Sequence, residues 1–123
     1  MARIFLMVGS LLAFLGVALG AFAAHFLKNF LSPVMLETFE VGVRYQMIHA
    51  FGIFVVAWAC SYWNSEAFAP AGWLFLFGII LFSGSLYGLS LGGMKWLGAI
   101  TPIGGLLFLC GWVYVFWTAW RMQ

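Results

Sequence analysis

Apolar residues run along this chain in four long stretches, Ile4 to about Ala24, Tyr45 to Trp63, Ala71 to Leu91 and Leu97 to Trp120, and none of them contains Asp, Glu, Lys or Arg. A bilayer hydrocarbon core about 30 Å thick is crossed by roughly 20 residues at about 1.5 Å of helical rise each, so every stretch is long enough to span. The pattern predicts an all-α membrane protein: a four-transmembrane-helix bundle, with spans over 4–24, 45–63, 71–91 and 97–120, forming one integral domain over 1–123.

Ahead of the second span the pattern changes. Ser32 suits an N-cap, and Pro33 suits the first helical position, where a missing N–H costs nothing. Over 33–44 the polar residues Glu37, Glu40 and Arg44 fall on one side and Met35, Phe39 and Val43 on another. This predicts an amphipathic extension lying at the membrane interface, with Gly42 as the bend before the chain enters the bilayer.

Four spans put both termini and the Trp63 to Pro70 loop on one face, with the long first loop and the Gly92 to Trp96 turn on the other. Trp63, Trp73, Trp117 and Trp120 are then expected in an aromatic belt near the terminal face and Trp96 near the opposite one; Trp58 and Trp112 fit no belt and are expected to pack inside. Arg3 and Arg121 beside the terminal spans favour a cytoplasmic terminal face, in a multi-pass protein of the bacterial inner membrane. The start of the chain has a second reading, because a basic residue, an apolar stretch and Ala21-Phe22-Ala23 also describe a signal peptide and its cleavage site. The stretch is longer than a usual signal core, and Gly16 and Gly20 suit helix packing in lipid, which favours a span.

Composition agrees with the pattern: 66% of residues are hydrophobic and only 7% charged, so there is little polar surface for a soluble domain, and no nucleic-acid partner is expected. Cys60 and Cys110 fall at different depths, which argues against a disulfide and for two buried thiols acting as small hydrophobes.

Glycines recur at helical spacing. Gly16, Gly20, Gly84, Gly88, Gly104 and Gly111 are expected to let neighbouring helices approach closely, with Gly84 and Gly88 facing another helix. Polar residues gather toward the face opposite the termini: His25 ends the first span, Arg44, Tyr45, Gln46 and His49 open the second, Ser83, Ser85 and Tyr87 lie late in the third, and Thr101 begins the fourth. Each such group is costly in hydrocarbon unless paired, so one connected cluster is expected, with His49 most buried, His25 its nearest ionisable neighbour, and Glu40 paired with Arg44 just outside. The same groups would serve as a hydrogen-bonded network fixing helix register, as a pocket for a lipid headgroup or small molecule, or, through His25 and His49 facing each other, as a haem site. The chain has no Ser-His-acid constellation, no HExxH, no CxxC and no intramembrane carboxylate pair, so no catalytic residues, metal ligands or cofactor are expected.

Four segments carry a resemblance: GAFAAHFLK at 20–28, VRYQMIHA at 43–50, LFSGSLY at 81–87 and LGAITPIGG at 97–105, with Gly111-Trp112 beyond them. In order and spacing the chain resembles the YgdD/YwdK family of small bacterial inner-membrane proteins, a domain of unknown function with distant animal counterparts. The resemblance implies a fold, a location and a set of motif residues (the polar positions above together with Lys28) but no reaction. Ala23 stands where the family pattern has Gly, which implies a less tightly packed end to the first helix. The leading functional expectation is a non-enzymatic integral membrane protein that binds a lipid or small hydrophobic ligand, or acts as a helper in a larger membrane complex or homo-oligomer. The alternative is a haem- or quinone-binding redox protein using His25 and His49.

Overall fold

The computed structural model describes residues 1–122. These form four long helices, α1 (Ala2–His25), α2 (Pro33–Tyr62), α3 (Ala69–Gly92) and α4 (Thr101–Arg121), joined by short 3-10 turns at Leu27–Asn29, Glu66–Phe68 and Lys95–Ala99. No strand occurs among the described residues. All four helices are long and apolar enough to cross a membrane.

The helix ends follow from local chemistry. Ser32 accepts the Met35 N–H at 3.3 Å and Pro33 occupies the first helical turn, so α2 starts where its cap stands. Gly93, in the left-handed region at φ 65°, stops α3, a conformation that L side chains rarely adopt. Nothing stops α2 between Pro33 and Tyr62. The amphipathic extension is therefore continuous with the span, and Gly42 is no bend: a Cβ there would meet the Tyr87 ring at 2.8 Å, so its lack of a side chain seats α3 instead.

The extensive interfaces join helices consecutive in sequence, α1 with α2, α2 with α3, and α3 with α4. Across the first, Gly9 faces Phe54, Gly16 faces Met47 and Gly20 faces Val43, which fixes an antiparallel register. Across the last, Gly78 faces Phe108, Gly104 faces Phe82 and Gly111 faces Phe75. The inner pair, α2 and α3, is the buried one: 50% and 39% of their most apolar windows are covered, against 17% in both α1 and α4. One core, built on Phe5, Ile53, Val56, Phe75, Ile79 and Phe108, fills the half of the bundle nearer the termini. A smaller cluster of Ala23, Leu27 and Phe39 closes the other end of α1. Ala23 is fully buried there, so the end of the first helix is tightly packed, contrary to the expectation drawn from its lost glycine.

Several packing expectations are corrected. Gly84 has no atom within 4 Å of a built Cβ and faces outward; Gly88 meets Leu97 of the turn before α4 and not a neighbouring long helix. Glycines not singled out from sequence also seat neighbouring rings: Gly72 receives the Phe5 ring, Gly78 the Phe108 ring, and Gly52 the edges of Phe75 and Trp112. Cys60 is buried as expected, while Cys110 is exposed on the outer side of α4. Trp58 does not pack inside; it is 57% exposed and stacks on Tyr62 beside Trp63.

Candidate functional site

The polar residues of α2 sit deeper than a span beginning at Tyr45 implies, because the helix starts a dozen residues earlier. Gln46 reaches the backbone of Leu12, in the middle of α1, and His49 lies almost one turn further on. Gln46 and His49 therefore lie near the centre of the bundle, while the contact of Ser85 with Thr101 stays at the first turn of α4.

From there each polar group ties one helix to another. The Tyr87 hydroxyl of α3 donates to Gln46 Oε1 at 2.7 Å, and Gln46 Nε2 donates to the Leu12 carbonyl at 2.8 Å, so a single chain of bonds crosses α3, α2 and α1. One turn away the Ser83 hydroxyl, fully buried, donates to the Gly42 carbonyl at 2.6 Å. The Ser85 hydroxyl lies 2.8 Å from the Phe82 carbonyl and shares a hydrogen bond with the Thr101 hydroxyl at 2.6 Å, which pins the start of α4 to α3. These bonds matter because an unpaired hydroxyl or amide in hydrocarbon costs a few kcal/mol, whereas a paired one is close to neutral.

His49 is held on every side. A carbonyl can only accept, so its contact with Tyr45 O at 2.8 Å fixes the proton on Nδ1, and Nε2 is left to accept the Trp112 indole N–H at 3.1 Å. The imidazole lies flat on Phe108, with ring centroids 3.4 Å apart and planes within 5°. Phe75 approaches from α3 at 5.6 Å and Tyr45 covers the remaining direction at 6.2 Å. Trp112 is only partly inside, at 39% exposed: its indole edge reaches inward as the hydrogen-bond donor that joins α4 to α2, and sequence reasoning missed it in that role. The signal available was its polar N–H at mid-helix depth beside a histidine-bearing span.

Two expected members stay outside. His25 is exposed at the end of α1; the register that sets Gly16 against Met47 sets His25 near Thr38, eleven residues from His49, or about 16 Å along α2. The two histidines cannot ligate one iron together. Arg44 is exposed too, and its nearest carboxylate is Glu37 at 4.0 Å, not Glu40, in a loose pair of little energetic weight. The single connected cluster expected from sequence is instead four separate sets of bonds, Leu12 with Gln46 and Tyr87, Gly42 with Ser83, Ser85 with Thr101, and Tyr45 with His49 and Trp112, and His25 and Arg44 join none of them. Among the described residues no three His, Cys, Asp or Glu side chains gather as a metal site requires.

Comparison with known proteins agrees with this architecture. The family model described as "Protein of unknown function (DUF423)" matches residues 19–105, which hold most of the interhelical bonds above. The UPF0382 membrane protein YwdK of Bacillus subtilis is 43% identical over 92% of this chain and 93% of its own length. A UPF0382 membrane protein of Staphylococcus epidermidis is 45% identical over 90% of both chains. A third, from Haemophilus influenzae, is 43% identical over 89% of this chain and 87% of its own. No solved structure matches the chain.

Proposed function

Because the chain belongs to the DUF423 (UPF0382) family of membrane proteins, whose function is unknown, we propose from its geometry that it is a non-enzymatic binding or helper protein of the bacterial inner membrane, one that engages a lipid, a small hydrophobic molecule or a larger membrane complex through its outer surface. The observation that carries this reading is the use of the interior polar groups. Both ring nitrogens of His49, both ends of the Gln46 amide, and the hydroxyls of Ser83, Ser85 and Tyr87 are already committed to helix-to-helix or backbone bonds, so none of these groups is free to act as nucleophile or base; the free thiol of Cys60 packs in the apolar core nearer the termini. A ligand or partner therefore meets the outside, where α1 and α4 present large apolar side chains such as Phe14, Val17, Leu109 and Phe116.

Extraction from native membrane in mild detergent, followed by mass spectrometry of proteins and lipids, tests this. A reproducible stoichiometric companion is expected; recovery of the bare chain would contradict it. The same proposal sets the termini on the cytoplasmic side, on the support of Arg3 and Arg121 beside the terminal spans. Ser65→Cys and Asn29→Cys, made in a background lacking Cys60 and Cys110, should label with an impermeant thiol reagent from opposite sides, Asn29→Cys from outside. Labelling of Ser65→Cys from outside would reverse the orientation.

A further inference from the structure

Two cavities meet on the outer side of α4. The first, about 390 Å³, lies at the terminal end between the Glu66–Phe68 turn and the helix, and is lined by Ala67, Tyr114, Trp117, Thr118, Arg121 and Met122. The second, about 470 Å³, continues along the helix toward the bundle centre and is lined by Leu109, Cys110, Val113, Tyr114 and Trp117. Tyr114 and Trp117 belong to both. The pair therefore makes one channel, with a polar, cationic mouth and an apolar tail.

We propose that this channel is a binding site for a single anionic phospholipid, whose headgroup phosphate sits against Arg121 and Thr118 and whose acyl chain lies along Val113, Cys110 and Leu109. The proposal rests on the reading of a lipid-engaging membrane protein and names the site and the lipid class.

Three observations on the page support it. Charge is the first. Arg121 ends α4, and among the described residues its guanidinium has no carboxylate within ion-pair distance; Glu66, the acidic residue of that face, pairs with the Met1 ammonium at 2.9 Å. A guanidinium matches a phosphate through paired N–H donors. The second is composition, since the mouth adds hydroxyl-bearing Thr118 and Tyr114 and interface-seeking Trp117 to that charge, whereas the tail lacks polar side chains apart from the shared tyrosine and one thiol. The third is length. Arg121 to Leu109 is twelve residues, about 18 Å along the axis, close to the roughly 15 Å depth of one hydrocarbon leaflet. A headgroup at one end and a chain reaching mid-bilayer at the other is the shape of a phospholipid lying in its own leaflet.

The test uses the full chain, purified in detergent and exchanged against phosphatidylglycerol or phosphatidylcholine of identical acyl chains, with bound lipid counted by native mass spectrometry. One phosphatidylglycerol is expected to survive at collision energies that strip phosphatidylcholine. Arg121→Gln should lower its retention at least about tenfold, while Arg3→Gln, which removes a cation of the same face outside the channel, should leave it unchanged. A phosphatidylglycerol carrying a photoreactive acyl chain should crosslink within Leu109 to Trp117. Equal loss in both arginine variants, equal retention of both lipids, displacement by inorganic phosphate alone, or crosslinks on α1 would each overturn the site. If Arg121→Gln aggregates, the crosslink map of the unmodified chain decides. Retention of some other lipid or a protein instead of phosphatidylglycerol would remove this site and leave the broader reading standing; retention of nothing would remove both.

Discussion

The inner helices and the outer helices solve the same problem differently. α2 and α3 hold nearly all the buried polar groups, Gln46, His49, Ser83, Ser85 and Ser90, while α1 contributes to the network only a backbone carbonyl, that of Leu12. Lipid tails are as apolar as leucine, so apolar faces give helices no reason to prefer each other over the bilayer. Close backbone approach and interhelical hydrogen bonds must supply that preference, and both concentrate where a helix has neighbours on two sides. The outer helices follow, docked by glycines and by single bonds, with most of their surface left to lipid. Specific association within the bundle and availability to other molecules are thus assigned to different helices.

The sharpest way to break this comparison is to overfill the contact by which outer α4 docks on inner α3 and to leave an open face of α3 alone. At Gly104 a side chain would run into the Phe82 backbone, which cannot swing aside, so Gly104→Leu should destabilise by on the order of 3 kcal/mol or prevent folding. Gly84→Leu, into open space, should stay within about 0.5 kcal/mol. Unfolding of both variants in the same mixed micelles measures the difference, and a large loss at Gly84 would mean that a further copy or partner covers that face.

His49→Ala should cost roughly 2 kcal/mol by leaving the Trp112 N–H without an acceptor and the Phe108 face without its stacking partner. His25→Ala, lacking any such contact, should be silent in the same assay, and equal effects would restore the two histidines to one site. Smaller still, Gln46→Leu should cost about 1 kcal/mol, the loss of two interhelical bonds at roughly 0.6 kcal/mol each in a bilayer. It should also raise amide exchange in α1 more than in α4, since Leu12 is the group released.

How far the sequence could be read depended on whether a property belongs to one helix or to two. The four apolar runs, the Ser32-Pro33 cap and the identity of the polar residues are properties of single segments, and they were legible. Depth was not, because the uncharged run begins at Tyr45, where charge ends, whereas the helix and its packing start at Pro33, so Gln46 and His49 lie near the centre and not at the rim. Face was not legible either. Gly84 and Gly88 have the spacing of a packing motif, but spacing alone does not say which side of α3 meets a neighbour. Gly52, Gly72 and Gly78 matter only because Phe75, Phe5 and Phe108 arrive opposite them, and that register comes from the assembled bundle. Arg44 chose Glu37 over Glu40, a difference of side-chain direction at an exposed surface that helical spacing does not resolve.

The central claim is that the buried polar groups act by holding helices together, and the bond between Tyr87 and Gln46 offers its most direct test. Tyr87→Phe, Gln46→Leu and the double variant form a thermodynamic cycle read by reversible unfolding in bicelles. The account predicts a coupling energy of about 0.5 to 2 kcal/mol between the two positions, as expected for partners in one hydrogen bond. Strict additivity, with the double variant losing the sum of the two single effects, would contradict it.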